Sequence, residues 1–270
     1  MKMKIWQVDA FASKALEGNP AAIVPLDAWL SDELMQRIAG ENNVSETAFF
    51  VRTAPSAYDL RWFTPTAEID LCGHATLASG HVVSHILEPD VQTVRFQTRS
   101  GELTVTRQPD GTGRMSLPAD PVVPYDGPSD AADRIGAALG VIAPHTLLKG
   151  QKFMAVWDDA AIIRGLAGPG DLAPVLESLG LWSVIVTAPG DQDYDFVSRF
   201  FSIGYGIPED PVTGSAHCAL TPWWAKRLGK KALKARQVSP RGGDLVCTDD
   251  GARTIIHGTC ALYLTGEIEI

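Results

Sequence analysis

The chain has 270 residues, 45% of them hydrophobic and 20% charged, a balance that belongs to a folded globular protein and excludes a disordered or fibrous one. Its formal net charge of −9, with no Lys/Arg cluster set against it, argues against nucleic acid or acidic membrane surfaces as partners. No apolar run reaches membrane-span length, the amino terminus reads as a strand rather than a signal peptide, and four cysteines without a CxxC pair suggest reduced thiols in a cytoplasmic protein.

In chain order, residues 4–11 alternate as a strand, and Gly18-Asn19-Pro20 turns into a second at 21–25. Ser31 reads as an N-cap ahead of Asp32 and Glu33, and Leu34, Met35, Ile38 and Ala39 recur at helical spacing, predicting a helix over 31–41 that ends at Asn42-Asn43. Val44-Ser45-Glu46 is a turn into a strand at 47–51, and 58–63 is the next strand. The helix expected at about 75–87 has almost no charged face, and such a helix belongs inside a protein, with the sheet curled around it. Strands at 94–98, 102–107 and 114–117 complete this half, and residues 118–130, with four prolines, link it to the next.

The second half repeats the order. A helix at 129–139 stopped by Gly140, a strand at 153–157, a helix at 171–179 and strands at 183–187 and 195–201 lead to a second apolar helix at 216–228, which Pro222 should kink or restart. Strands around Gln237, Leu245 and Ile255 and a tail at 260–268 follow. The expected class is α+β, in two pseudo-symmetric halves at 1–118 and 119–270. The tail at 260–270 can complete the first half, and an active-site cleft is expected between the two.

The halves share more than element order. Glu68, Gly73, Ala75 and Ala78 follow the pattern E-x4-G-x-A-x2-A, and Glu209, Gly214, Ala216 and Ala219 repeat it at identical spacing. Upstream, Thr53-Ala54-Pro55 and Arg61-Trp62-Phe63 are echoed by Thr187-Ala188-Pro189 and Arg199-Phe200-Phe201; downstream, Arg99 to Leu103 is echoed by Arg241 to Leu245.

A helix that begins at a glycine presents unpaired N–H groups to which the peptide dipoles draw an anion, so two such starts suggest a two-sided carboxylate clamp. The alternative is that Gly73 and Gly214 serve only tight turns or close packing. Chemistry is sought in what is not duplicated: Glu46 corresponds to Gly180, His74 to Ser215 and Asp210 to Ile69. A Glu, a His and an Asp beside a bound carboxylate make an acid–base set. The bland reading makes Glu46 a solvated turn residue, Asp210 a turn former and His74 a partner of a core carbonyl.

A metal site from Cys72, His74, His217 and Cys218 matches no zinc spacing, and none is expected; His81 and His85 read as ordinary helix residues. Ser215 lacks the G-x-S-x-G context of a hydrolase, and without a P-loop or G-x-G-x-x-G turn no nucleotide cofactor is implied.

GNPAAIV at 18–24, NNVSETAFF at 42–50, WFTPTAEIDLCGHATLAS at 62–79, EDPVTGSAHCAL at 209–220 and SPRGGDL at 239–245 together resemble the PhzF-like phenazine-biosynthesis proteins. The resemblance implies the diaminopimelate-epimerase-like fold and a cofactor-independent isomerase, often a homodimer, acting on a small carboxylate-bearing molecule. It makes Glu46 the proton carrier, assisted by His74 and Asp210, with Gly73, Gly214 and Ser215 holding the substrate and Asn19 near the cleft. The two-thiol racemases of the wider fold place a cysteine before each helix glycine; here Cys72 holds the first position and Thr213 the second, which disfavours stereoinversion by two thiols. The competing readings are an amino-acid epimerase of the same fold and a non-catalytic carboxylate-binding protein.

Overall fold

The computed structural model describes the whole chain except Gln192 and the side chain of Tyr205. It divides into two compact units, residues 1–117 with 255–270, and residues 118–254. The second unit therefore ends at Thr254 rather than at 270. The C-terminal strand Cys260–Glu269 pairs antiparallel with the first strand, Lys2–Ala10, from Lys2 opposite Glu269 to Ala10 opposite Cys260.

Within the first unit, Lys2–Ala10 pairs antiparallel with Asn19–Leu26, which lies parallel to Glu46–Ala54. That strand turns antiparallel into Ala57–Phe63, which lies parallel to Thr93–Thr98, itself antiparallel to Gly101–Arg107. The second unit has the same sequence of pairings through Thr146–Lys149, Phe153–Val156, Val184–Pro189, Phe196–Ser202, Ala232–Gln237 and Gly243–Asp250. In each unit a short strand, Glu68–Ile69 or Ile207–Asp210, pairs with the middle strand just ahead of a helix.

Parallel neighbours need a crossover, and helices supply it. The first parallel pair of unit one is bridged by the helix Asp32–Asn42, whose N-cap Ser31 accepts from Leu34 N–H and whose C-cap Asn43 is left-handed at φ 48°. The second is bridged by the central helix Gly73–Val82, which runs on as a π-helical turn at Val83–Leu87. This helix touches Lys2–Ala10 and Asn19–Leu26 near one end of the strand order and Gly101–Arg107 near the other, so the sheet curls around it. Encirclement explains its composition. Gly80 meets Val105 so closely that a Cβ would lie 2.5 Å from that side chain, and Ser79 and Ser84 return their hydroxyls at 2.7 Å to the carbonyls of Ala75 and Gly80.

In the second unit the central helix is Gly214–Leu228, which runs unbroken through Pro222. The carbonyl that a residue at 222 would have bonded, that of Cys218, instead accepts the backbone N–H of Asp120 at 2.9 Å. Phe196 stacks on Trp224 at 5.7 Å to seat this helix on its sheet. Helix 131–139 starts one residue later than Ser129 would have capped it, and Gly140 ends it at φ 70°. Among the described residues no helix is long and apolar enough to cross a membrane.

The repeated Arg and Glu of the sequence form the same contact in both units. Arg61 Nε and Nη2 donate to the two oxygens of Glu68 at 2.7 and 2.8 Å, and Arg199 binds Glu209 likewise at 2.6 and 2.7 Å. Each fork ties the middle strand to the short strand that precedes the central helix. Arg199 is only 3% exposed, so removing it leaves Glu209 a poorly solvated charge. Arg199→Met should lower stability by about 3–5 kcal/mol in urea or thermal unfolding, and Arg199→Met with Glu209→Leu should lose less.

Candidate active site

In the first unit three side chains meet where two strands start beside the central helix. Asn19 and Glu46 are the opening residues of the strands Asn19–Leu26 and Glu46–Ala54, not members of turns, and His74 is the second residue of the helix. The parallel register sets Ala21 opposite Glu46, which brings both strand starts to the same end. Asn19, Glu46 and His74 are 0, 7 and 3% exposed, so Glu46 is not a solvated residue and His74 faces polar side chains rather than a core carbonyl.

The imidazole lies between its partners. His74 Nε2 is 3.0 Å from Glu46 Oε2, while Nδ1 is 3.2 Å from Asn19 Nδ2 and 3.5 Å from Cys72 Sγ. The Glu46 contact is at ion-pair distance but off hydrogen-bond alignment, and Nε2 and Oε2 have no other hydrogen-bond partner in the buried site. A substrate group entering there can satisfy both. The Asn19 carboxamide can meet either state of the ring, its nitrogen donating to a neutral Nδ1 or its oxygen accepting from a protonated one.

Burial works against the charged ring, Cys72 and Glu46 work for it, and the His74 pKa is held well above the usual histidine value. Burial, then the Glu46 charge, pushes the Cys72 thiol up to about 11. The thiol is therefore neutral near physiological pH, and the charge that favours the imidazolium there is that of Glu46. A buried neutral thiol is a poor base.

Beside this pair the helix begins without a side-chain cap: Cys72 is the N-cap, extended at φ −137°, and Thr76 turns its hydroxyl back to the Cys72 carbonyl. The first-turn N–H groups of Gly73 and its neighbours keep their affinity for an anion. Neither Gly73 nor Gly214 has a positive φ, so neither is there to permit a left-handed turn.

The second unit builds its own helix start. Asp210 closes the strand Ile207–Asp210, Thr213 is the N-cap at φ −111° with no side-chain cap, and Gly214 and Ser215 open the helix. His217 occupies the place of Thr76 and does the same work, its Nδ1 donating to the Thr213 carbonyl at 2.8 Å. Burial pushes its pKa down to about 4, so it is neutral. Thr213 Oγ1 donates to Asp210 Oδ2, and the buried amide of Gln237 spans the Thr213 N–H and the Asp210 carbonyl. The sequence held no signal for Gln237, which has no marked counterpart in the first half, and marked Thr213 only as a missing cysteine.

Glu46, Cys72 and His74 offer three ligand atoms within 4.8 Å of one another. Cys72 and Glu46 flank opposite nitrogens of the ring, however, and an ion held in the ring plane at one nitrogen would leave the other donor across the imidazole. Cys218 Sγ faces the Gly214 carbonyl at 3.9 Å, and the rings of His81 and His85 stack at 4.2 Å on one another.

The profile of the phenazine biosynthesis-like protein family matches residues 8–266. Over 270 residues, all of both chains, the sequence is 47% identical to an uncharacterized isomerase of Pseudomonas aeruginosa. A crystal structure of a PhzF-family phenazine biosynthesis protein from Enterococcus faecalis superimposes with a TM-score of 0.91 at 41% identity, with 100% of each chain covered. A hydroxyproline epimerase from Agrobacterium vitis shares the fold at a TM-score of 0.62 and 13% identity, over 99% of this chain and 92% of that one.

With the His74 pKa raised on folding, the imidazolium contributes stability that is fully present below the unfolded-state value and is lost as pH rises through the folded-state value. The melting-temperature advantage of the wild type over His74→Gln should accordingly be larger at about pH 6 than at about pH 10.

Proposed function

The chain belongs to the phenazine biosynthesis-like family and is an isomerase, and we propose that it moves a proton, without a cofactor, on a small carboxylate-bearing metabolite, with Glu46 as the proton shuttle. The observation that carries this reading is the buried Glu46–His74 pair, 3.0 Å apart, at the uncapped start of the central helix. Glu46 takes a proton from a carbon next to the carboxylate, exchanges it with solvent while it is a carboxylic acid, and delivers a proton to another carbon, so the product is an isomer of the substrate and nothing is consumed. Negative charge that builds on the substrate meets the N–H groups at Gly73 and the His74 imidazolium, which needs no reorganisation to receive it. Asn19 keeps the ring in place through both of its protonation states.

The proposal for the second unit is of the same kind: Gly214 and Ser215 present a helix start to an anion and Asp210 supplies a carboxylate beside it. We also propose a homodimer, for which the support is the run Leu262, Tyr263 and Leu264, exposed on the C-terminal strand.

An epimerase of this fold would need a second base for the opposite face of the carbon, and Cys72 is the thiol positioned for it. A buried thiol pushed up to about 11 does not suit that role, which favours isomerisation by one carboxylate.

The test is solvent-deuterium incorporation across a panel of small carboxylates. Glu46→Gln should lower exchange by about 10²–10⁴-fold, the usual contribution of one acid–base group, while Cys72→Ser keeps most of it. Unchanged exchange in Glu46→Gln would remove the assignment, and loss in Cys72→Ser would favour the epimerase. Thermal stabilisation by a carboxylate with no exchange at all would point to a binding protein.

A further inference from the structure

We propose that Gln237 and Thr213 are positioning residues for Asp210, joined in a hydrogen-bond chain whose direction is fixed and which holds the Asp210 carboxyl as an ionised acceptor. The inference rests on the reading of Asp210 as a working carboxylate and goes beyond it by naming what sets its charge.

The direction follows from the backbone. Gln237 is fully buried, and its amide faces a backbone N–H on one side and a backbone carbonyl on the other. The Thr213 N–H, 2.9 Å away, can only donate, so the amide oxygen must face it; the Asp210 carbonyl, 2.6 Å away, can only accept, so the amide nitrogen must face that. No flipped amide satisfies both groups. The nitrogen's second hydrogen points to Thr213 Oγ1 at 3.3 Å. Having accepted there, the hydroxyl sends its own hydrogen to Asp210 Oδ2. The chain thus runs from Gln237 through Thr213 to Asp210, and its last acceptor is bound best as a carboxylate.

The first unit has nothing equivalent. Its N-cap is Cys72, whose thiol contacts His74 instead. At the position where two-thiol racemases carry a second cysteine, this chain places a hydroxyl that does no proton transfer and orients the neighbouring carboxylate.

Other titratable groups border this segment. Glu209 is engaged by Arg199, the Lys152 ammonium lies 6.0 Å over the ring of Phe200 opposite Asp210 in the ladder, and His217 is neutral. Thr213→Val and Thr213→Ser leave all of these side chains in the chain, so the difference between the two variants at Asp210 reads the hydroxyl.

The experiment is a pH titration of side-chain carboxyl ¹³C resonances by NMR on the full-length chain, with Asp210→Asn to assign the signal. Thr213→Val keeps the side-chain shape and removes the donor, and should raise the Asp210 midpoint by about one unit. Thr213→Ser restores the hydroxyl and should return the midpoint to the wild-type value. Gln237→Met, a second variant in case Thr213→Val does not fold, should shift it in the same direction by less. An Asp210 midpoint unmoved by Thr213→Val, or by Gln237→Met if only that variant folds, overturns the proposal. A midpoint that moves equally in Thr213→Ser and Thr213→Val overturns it too, because packing rather than the hydroxyl would then be responsible. The measurement uses no substrate, so its failure is separate from a failure of the deuterium-exchange test of Glu46.

Discussion

A two-pronged contact between an arginine on the middle strand and a glutamate on the short strand ahead of the helix recurs in both units, and the rest of each unit follows from it. The fork fixes both the spacing and the plane of the two strands, which a lysine's single ammonium would not do. With the short strand held, the chain must enter the central helix at one place, and the first N–H groups of that helix come to the same position relative to the sheet in each unit. Because the helix is also the crossover between parallel strands, the sheet wraps it. In the first unit the helix is almost wholly apolar, and the hydroxyls of Thr76 and Ser79, like that of Ser84 in the π-helical turn, bond back to the preceding turn.

On that common frame the chemistry comes from residues the frame does not require. Thr76 and His217 sit at equivalent places and do the same job, returning a hydrogen bond to the N-cap carbonyl. Chemically unlike side chains can be interchangeable there because only the donor matters. The N-caps themselves are not interchangeable. Cys72 leaves its thiol beside an imidazole whose charged form Glu46 favours, and Thr213 links a buried amide to a carboxylate. One unit thus concentrates a charged pair at its helix start, and the other an oriented carboxylate.

Much of this was legible in the chain before any coordinates. Repeats survive in sequence where both copies need the same geometry, which is why Glu68 and Gly73 match Glu209 and Gly214 at identical spacing, and Arg61 matches Arg199 once a short insertion is allowed. The apolar circumference of the central helix was equally plain, since encirclement leaves no solvent face to mark with charge. Boundaries were less so. Glu46 and Asn19 read as turn residues because both follow turn-forming neighbours, yet parallel pairing with Ala21 draws Glu46 into a strand and antiparallel pairing with Ala10 draws in Asn19. Pro222 points to a kink or a later start, yet the helix begins at Gly214 and includes the proline, and the backbone of Asp120 takes up the carbonyl that the proline leaves free.

The sequence by itself determined the class of fold, the duplication and the residues that differ between the copies, because these are properties of pattern, and pattern is local or periodic. Only the tertiary structure decided what those residues touch. That His74 has Glu46 on one nitrogen and Asn19 and Cys72 on the other, that burial makes Cys72 a neutral thiol, and that Gln237 reaches back across 24 positions to Thr213 all depend on strand pairing between distant segments. Hydrogen bonding and desolvation act over a few ångströms in space, and chain order carries no record of which distant residues will share that distance.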